Sequence, residues 1–350
     1  MSTTVTFPGL GLEFEIDRVA FSIGGFNVYW YGVLIACGLL LALAFAFRHC
    51  TEFGVDGDAM VDVAFIGAVL GVICARIYYV LMSPYGFDSL WDVVNIRGGG
   101  LAIYGGIIGG LGFGALACKW RKLPVLPMYD LTCMCFLIGQ GIGRWGNFVN
   151  QEAFGYNTTL PWGMYSEATR AYLMNGAVTL PAGMTIDPNL PVHPTFLYES
   201  IWCLAGFVML WRYMKKRRFH GYIALRYLIW YGLGRFWIDG LRTDSLLLVP
   251  SIGLRASQLV AALAVVGGIA LEIFFRRRTA GKPLMVKLAV SAENRALQKK
   301  LEQKTGKPVP VEEPDAVLEA TQPRAKFLEQ TAEYNASLKT RLEAELAQAG

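Results

Sequence analysis

The strongest constraint on this chain is a set of apolar runs, each close to the roughly 20 residues a helix needs to cross a hydrocarbon core. Seven runs lie at about Phe26–Phe47, Ala59–Met82, Gly99–Cys118, Tyr129–Phe148, Thr195–Met214, Tyr222–Asp239 and Ala256–Phe275. In lipid no water satisfies backbone N–H and C=O groups, so a spanning segment is either a helix or a strand of a closed barrel. The alternating pattern of barrel strands is missing here. The sequence therefore predicts an all-α, polytopic membrane protein with seven transmembrane helices. Composition agrees: 54% of residues are hydrophobic and 17% charged, against about 25% charged in soluble domains, and the mean hydropathy is +0.39.

Basic residues set the expected orientation, because cytoplasmic loops accumulate Lys and Arg. They fall at alternate ends of the runs: Arg48, then Lys119 with Arg121 and Lys122, then Lys215 to Arg218, then Arg276 to Arg278. The N-terminus is expected outside and the C-terminus in the cytoplasm. The first 25 residues carry Glu13, Glu15 and Asp17 but no basic stretch, so no cleaved leader is expected and the first run starts insertion itself. The net charge of +5 mostly reflects these anchors, which argues against a nucleic-acid partner. Residues 1–278 read as a membrane domain. Residues 279–350 read as a charged cytoplasmic tail, partly disordered, with Lys, Arg and Glu in near balance.

Of the seven cysteines most lie within apolar runs, none in CxxC spacing, and the three histidines show no helical ligand spacing. Neither a disulfide framework nor a metal site is expected. The informative side chains are polar ones within or beside the apolar runs, since an ionised group in hydrocarbon costs a few kcal/mol and needs a partner or a task. Arg144, Asn147, Asn150 and Glu152 stand at the outer end of the fourth run. Tyr231, Arg235 and Asp239 are spaced four apart on one helix face, with Arg242 three further on. His193 and Pro194 open the fifth run, and Arg97, a glycine run and Tyr104 open the third. Polar groups from four segments thus reach one level. The pattern GxGxxG at Gly141, Gly143 and Gly146 follows no strand, and is read as close helix packing rather than a dinucleotide loop.

These residues carry a resemblance. Gly143-Arg-Trp-Gly-Asn-Phe-Val-Asn-Gln-Glu152 resembles the signature of the prolipoprotein diacylglyceryl transferases. Further stretches follow in the family's order: Phe21-Ser-Ile-Gly24, Trp30-Tyr-Gly32, Gly99-Gly-Leu-Ala-Ile-Tyr-Gly-Gly106, His193-Pro-Thr-Phe-Leu-Tyr-Glu199 and Gly234-Arg-Phe-Trp-Ile-Asp-Gly-Leu-Arg-Thr-Asp-Ser245. The resemblance covers about Phe21 to Phe275. It implies a multi-pass enzyme of the bacterial cytoplasmic (inner) membrane that moves the diacylglyceryl group of phosphatidylglycerol onto the lipobox cysteine of a prolipoprotein signal peptide. It implies a thioether product, release of glycerol phosphate, and no metal or organic cofactor.

By motif match, Arg144 and Arg235 hold the phosphate, while Tyr31, Asn147, Glu152, Gly155 and Arg242 fall on positions the family associates with the site. Many members have histidine where this chain has Tyr104 and glutamate where it has Asp239, so a mechanism with histidine as base at position 104 is not open to it. The chemistry asks independently for arginine forks around a departing phosphate and for a base or a positive field at the thiol. Tyr104, Glu152 and His193 are the candidates for that role. An anion transporter or a non-catalytic membrane scaffold would also place arginines within helices.

Overall fold

The structure, a computed structural model, describes residues 2–349 apart from 84, 85, 88, 97, 98, 176–179, 182, 215, 245, 246, 250–252, 283, 289, 312 and 319–323. Arg97, Lys215 and Ser245, named above, lie outside the described residues. In chain order the elements are β1 (Ser2–Phe7), β2 (Leu12–Asp17), β3 (Val19–Ile23), β4 (Phe26–Tyr29), α1 (Trp30–His49), α2 (Gly57–Met82), α3 (Leu90–Val94), α4 (Ile103–Trp120) and α5 (Val125–Asn150). There follow β5 (Tyr165–Ser166), α6 (Glu167–Met174), α7 (Thr195–Met214), α8 (Tyr222–Leu241), β6 (Leu247–Val249), β7 (Leu254–Arg255) and α9 (Ala256–Arg278). The tail supplies β8 (Leu284–Lys287), α10 (Ala292–Thr305), β9 (Asp315–Leu318) and α11 (Arg324–Gln348).

Every apolar run is a helix, with ends within a few residues of the expected ones. Among the described residues, four stretches, Trp30–Phe53, Gly57–Met82, Val125–Asn150 and Ala256–Arg278, are long and apolar enough to cross a membrane. The protein is thus mostly helical, with small sheets that the all-α expectation omitted. The alternating, β-branched stretch Ser2-Thr-Thr-Val-Thr-Phe7 pairs antiparallel with β2 on one side and β5 on the other. Val5 and Phe7 bury against Phe154, Met164, Leu173, Val192 and Phe196. β3 and β4 join through Gly24 and Gly25, with φ of 56° and 86°, the pair of positive values that a two-residue hairpin turn of type I′ demands.

The chain forms two compact units. Residues 1–46 and 132–282 make the first, residues 47–131 and 283–350 the second.

In the first unit, glycines bring α1 and α5 together. A Cβ on Gly38 would sit 3.5 Å from the Gly139 Cα, one on Gly143 3.3 Å from Ile35, and one on Gly146 within the Tyr31 ring. The GxGxxG glycines therefore serve packing, as read from the sequence. α7 joins α5 through the Ser200 hydroxyl, which donates to the Gly141 carbonyl at 2.7 Å. α7 and α8 are locked by a reciprocal pair. The Trp202 indole donates to the Trp230 carbonyl and the Trp230 indole to the Trp202 carbonyl, each at 2.9 Å, with the rings stacked at 4.3 Å. Gly206 and Gly234 make the room, since a Cβ on either would collide with the facing indole.

In the second unit, α2 and α4 pack along a glycine seam, with Gly67 and Gly71 facing Gly106 and Gly110. Arg76 satisfies the backbone of the segment before α4, donating to the carbonyls of Asp92, Val93, Gly99 and Gly100. The tail folds here. Val290, Leu301, Leu338 and Leu342 form a core between α10 and α11, and Arg295 meets Asp56, the N-cap of α2, at 3.1 Å.

The tryptophan lock yields a prediction. Gly206→Ala and Gly234→Ala each cost about 1–3 kcal/mol through overpacking and lower the melting temperature in detergent. Gly267→Ala, where a Cβ meets nothing within 4 Å, does not. Equal melting of all three variants would show that the indoles move aside freely.

Candidate functional site

The polar residues of the first unit converge on Glu199, a buried side chain with 4% of its surface exposed. It lies on the first turns of α7, where the proline and threonine of His193-Pro-Thr195 start the helix with its side chain turned inward. Three arginines meet its two oxygens. Arg144 of α5 forms a short ion pair with Oε2, while Arg235 of α8 and Arg242 just beyond it reach Oε1 at 3.5 and 3.4 Å. Asp239, fully buried, meets Arg235 at 2.9 Å and Arg242 at 4.0 Å. The four-residue spacing of Arg235 and Asp239 thus becomes a direct contact one turn apart. Asp244 binds Arg242 in bidentate fashion, at 2.9 and 2.7 Å. Burial alone would raise the Asp244 carboxyl, but the hydrogen bonds and charge of Arg242 outweigh it and hold the group below the ordinary carboxylate value.

The carboxylates are closed in and the guanidiniums are not. Arg144 and Arg235 keep 21% and 24% of their side-chain surface exposed. Among the described residues, neither arginine's Nε meets an acceptor. Each therefore has a free donor and an accessible edge while its other nitrogens are held. Such a pair can take an anion between forks already oriented by carboxylates behind them.

A polar chain runs from the same arginine along the end of α5. Arg144 donates to Asn147 at 3.3 Å, and Asn147 donates to Glu152 at 3.0 Å, as does Asn150 at 3.3 Å. Glu152 stands exposed in a turn whose flanking residues, Gln151 and Ala153, have φ of 55° and 56°. Non-glycine residues in the left-handed region carry a cost that the surroundings must offset. The offset here includes the Ala153 carbonyl accepting from the Thr195 hydroxyl.

The next residues tie the site together. The Gly155 amide donates to the His193 carbonyl at 2.9 Å, and the Tyr156 amide to the Leu241 carbonyl at 2.9 Å. A side chain at 155 would press on His193 and the Leu241 carbonyl, each at 2.8 Å. Glycine is required there by close approach, and one short segment joins the end of α5 to the ends of α7 and α8.

His193 presents Nδ1 to the Tyr198 hydroxyl at 3.1 Å, and that hydroxyl accepts from the Trp162 indole at 2.8 Å. Burial pushes the His193 imidazole below its ordinary value, so the ring is neutral at pH 7. Tyr31 leads α1 with 40% exposure and lays its ring on Gly146. Tyr104 belongs to the second unit, on the first turn of α4, and is 43% exposed.

Arg144, Arg235, Asp239, Arg242, Asn147 and Glu152 are thus linked by direct contacts, with Gly155 and His193 bonded beside them. Glu199 and Asp244 lie within the motif stretches, but the sequence alone assigns them no part. The signal for Glu199 was present: an acid in an apolar run needs a partner as much as an arginine does. Among the described residues, no group of three His, Cys, Asp or Glu side chains could hold a metal ion.

Removing Glu199 leaves three arginines facing one another. Glu199→Ala costs about 3–5 kcal/mol, the toll for an uncompensated buried charge. Asp62→Ala, which breaks the exposed pair of Asp62 with Arg121 at 3.0 Å, costs under about 1 kcal/mol. Thermal unfolding in detergent checks the contrast, and similar losses in both would deny Glu199 its place as the common counter-charge.

Comparison with known proteins fits this arrangement. A family model described as prolipoprotein diacylglyceryl transferase matches residues 18–274. The phosphatidylglycerol--prolipoprotein diacylglyceryl transferase of Clostridioides difficile (strain 630) is 38% identical over 264 residues, covering 75% of this chain and 97% of the relative. That of Staphylococcus aureus (strain bovine RF122 / ET3-1) is 40% identical over 285 residues, covering 80% and 96%. The matched region contains every one of the site residues described above, and the chain belongs to the prolipoprotein diacylglyceryl transferase family.

Proposed function

We propose that this protein transfers the diacylglyceryl group of phosphatidylglycerol to the lipobox cysteine thiol of a prolipoprotein, the first step of lipoprotein maturation. The observation that carries the reading at the level of chemistry is the pair of half-open guanidiniums, Arg144 and Arg235, braced from behind by Glu199 and Asp239. In the reaction the cysteine sulfur attacks the glyceryl carbon, forming the S–C bond. The C–O bond to phosphate breaks, and its electron pair leaves on the phosphate oxygen as glycerol phosphate. The thiol proton passes to a base.

Negative charge grows on the phosphate as the C–O bond breaks. Preoriented guanidiniums then act where charge develops, which lowers the barrier rather than merely tightening substrate binding. Asn147 holds Arg144 and Glu152 in register, and Arg242 completes the positive lining. For the proton, Glu152 is exposed and His193 is neutral, with Nε2 open to accept in the tautomer whose Nδ1–H faces the Tyr198 hydroxyl. Both are therefore able to accept it. Tyr31 and Gly155 shape the site, the first by its ring on α5 and the second by keeping the connecting segment close.

The wider placement is part of the same proposal. Seven helices, α1, α2, α4, α5, α7, α8 and α9, span the bacterial inner membrane, with the N-terminus outside and the tail of residues 279–350 in the cytoplasm. The support is the alternation of basic clusters between the two ends. The site then lies toward the outer leaflet, where a membrane-held signal peptide presents its cysteine.

Two measurements test this. In single-turnover transfer to a lipobox peptide, read as a diacylglyceryl mass gain on its cysteine, Arg144→Lys and Arg235→Lys are each slowed by a few hundredfold, about 3–4 kcal/mol. An ammonium is a point charge that cannot grip two oxygens at once. Asp239→Glu retains more activity than Asp239→Asn, since only the former keeps a carboxylate to aim Arg235. No mass gain with the wild-type protein would favour transport or scaffolding, and near-normal rates in both lysine variants would remove the clamp.

For topology, Thr159→Cys is labelled in intact cells by an impermeant thiol reagent and Arg218→Cys only after permeabilisation, both in a cysteine-free background. The reverse pattern overturns the orientation.

A further inference from the structure

At the end of α7 remote in sequence from Glu199, a cavity of about 280 Å³ is lined by Met209, Arg212, Tyr213 and Lys216. Arg212 and Lys216 are one turn apart on the same face, and among the described residues neither side chain has a hydrogen-bond or ion-pair partner. The neighbouring chain offers them no acid. From Met209 to Arg226 the sequence holds six further or lining basic residues beyond Arg212, namely Lys215, Lys216, Arg217, Arg218, His220 and Arg226, and no acid. The adjoining end of α9 supplies Glu272, but Arg226 and Arg276 already claim it, both at 2.9 Å. Arg226 also lies flat on the Tyr213 ring at 4.0 Å, which fixes that wall of the cavity.

The level in the membrane is marked by Trp211, exposed and stacked on Phe207, since tryptophan settles at the boundary between acyl chains and head groups. An accessible cavity with two unpaired cations at that depth matches the phosphate of an anionic lipid whose acyl chains run beside Met209. We propose that this cavity binds the phosphate head group of an anionic phospholipid in the leaflet at this end of the protein, apart from the transfer site. The inference rests on α7 spanning the bilayer and not on the transfer chemistry. Lipid is favoured over a soluble anion because the lining combines the two cations with the apolar Met209 and the Tyr213 ring.

The test is native mass spectrometry of the full chain released from micelles doped with phosphatidic acid or phosphatidylcholine. The wild-type protein retains phosphatidic acid preferentially, and Arg212→Ala with Lys216→Ala weakens retention by about tenfold or more, the scale of lost charge-assisted hydrogen bonds. The control pair Arg277→Ala with Arg278→Ala removes equal charge from the same end without touching the cavity, and leaves retention unchanged. Melting curves establish that both double variants are folded, and inorganic phosphate in excess does not displace the lipid. Equal weakening by both pairs would reduce the effect to general electrostatic attraction and overturn the site. Absence of a preference in the wild type, or displacement by inorganic phosphate, would overturn it as well. Because the readout is retained lipid, its failure leaves the transfer reaction untouched, and the peptide assay stands or falls separately.

Discussion

The site depends on one buried carboxylate. Glu199 brings together arginines from two other elements, and without it Arg144, Arg235 and Arg242 would repel one another across a few ångströms in a medium that screens poorly. Its own burial would be prohibitive without those partners. The two requirements are mutual, so the cluster forms as a unit or not at all. The ends of α5, α7 and α8 are consequently fixed relative to one another by charge as well as by packing. Asp239 and Asp244 then divide the remaining positive charge so that each arginine has a carboxylate on one side and, for Arg144 and Arg235, open space on another.

Precise placement of those helix ends requires close helix contact, and glycine provides it. Lipid offers no hydrophobic drive for helix association, so packing and hydrogen bonds must hold the bundle. Gly141, Gly143 and Gly146 let α1 and α7 approach α5, and Gly206 and Gly234 let two tryptophans exchange hydrogen bonds with the facing backbones. On the other side of the site, Gly155 lets a loop amide reach His193. At Gly155, Gly206 and Gly234 the absent side chain brings a polar group within bonding distance, while Gly143 and Gly146 make room for Ile35 and the Tyr31 ring. Packing residues and site residues therefore alternate in one motif, as Gly143, Arg144, Gly146 and Asn147 show.

Much of this was legible in the sequence because membranes impose strong rules. Apolar run length located the helices, and the i,i+4 spacing of Arg235 and Asp239 anticipated their contact. The N-terminal sheet was not anticipated, although Thr3 to Phe7 alternates, because its value comes from Phe154 and Val192 far along the chain. Glu199 was passed over for a similar reason: the number of arginines reaching it depends on how α5 and α8 are arranged in space. Tyr104 was grouped with the arginines by depth and motif alone, and the structure places it in the second unit on α4. The tail offered only composition, whereas its fold depends on long-range contacts such as Asn294 with Asn335.

Charge balance also explains why the arginines are paired before any anion arrives. On the proposed chemistry the substrate is a phosphodiester with one negative charge, and the departing glycerol phosphate is a monoester carrying about −1.5 to −2 at neutral pH. Three bare arginines would hold the more charged product more tightly than the substrate, and release would limit turnover. With Glu199, Asp239 and Asp244 already opposite them, the cluster is formally neutral, three cations against three anions. The buried carboxylates therefore serve both halves of a cycle. On that proposal they aim the guanidinium edges at the phosphate while the C–O bond breaks, and they moderate the field so that the more highly charged product does not outcompete the next lipid.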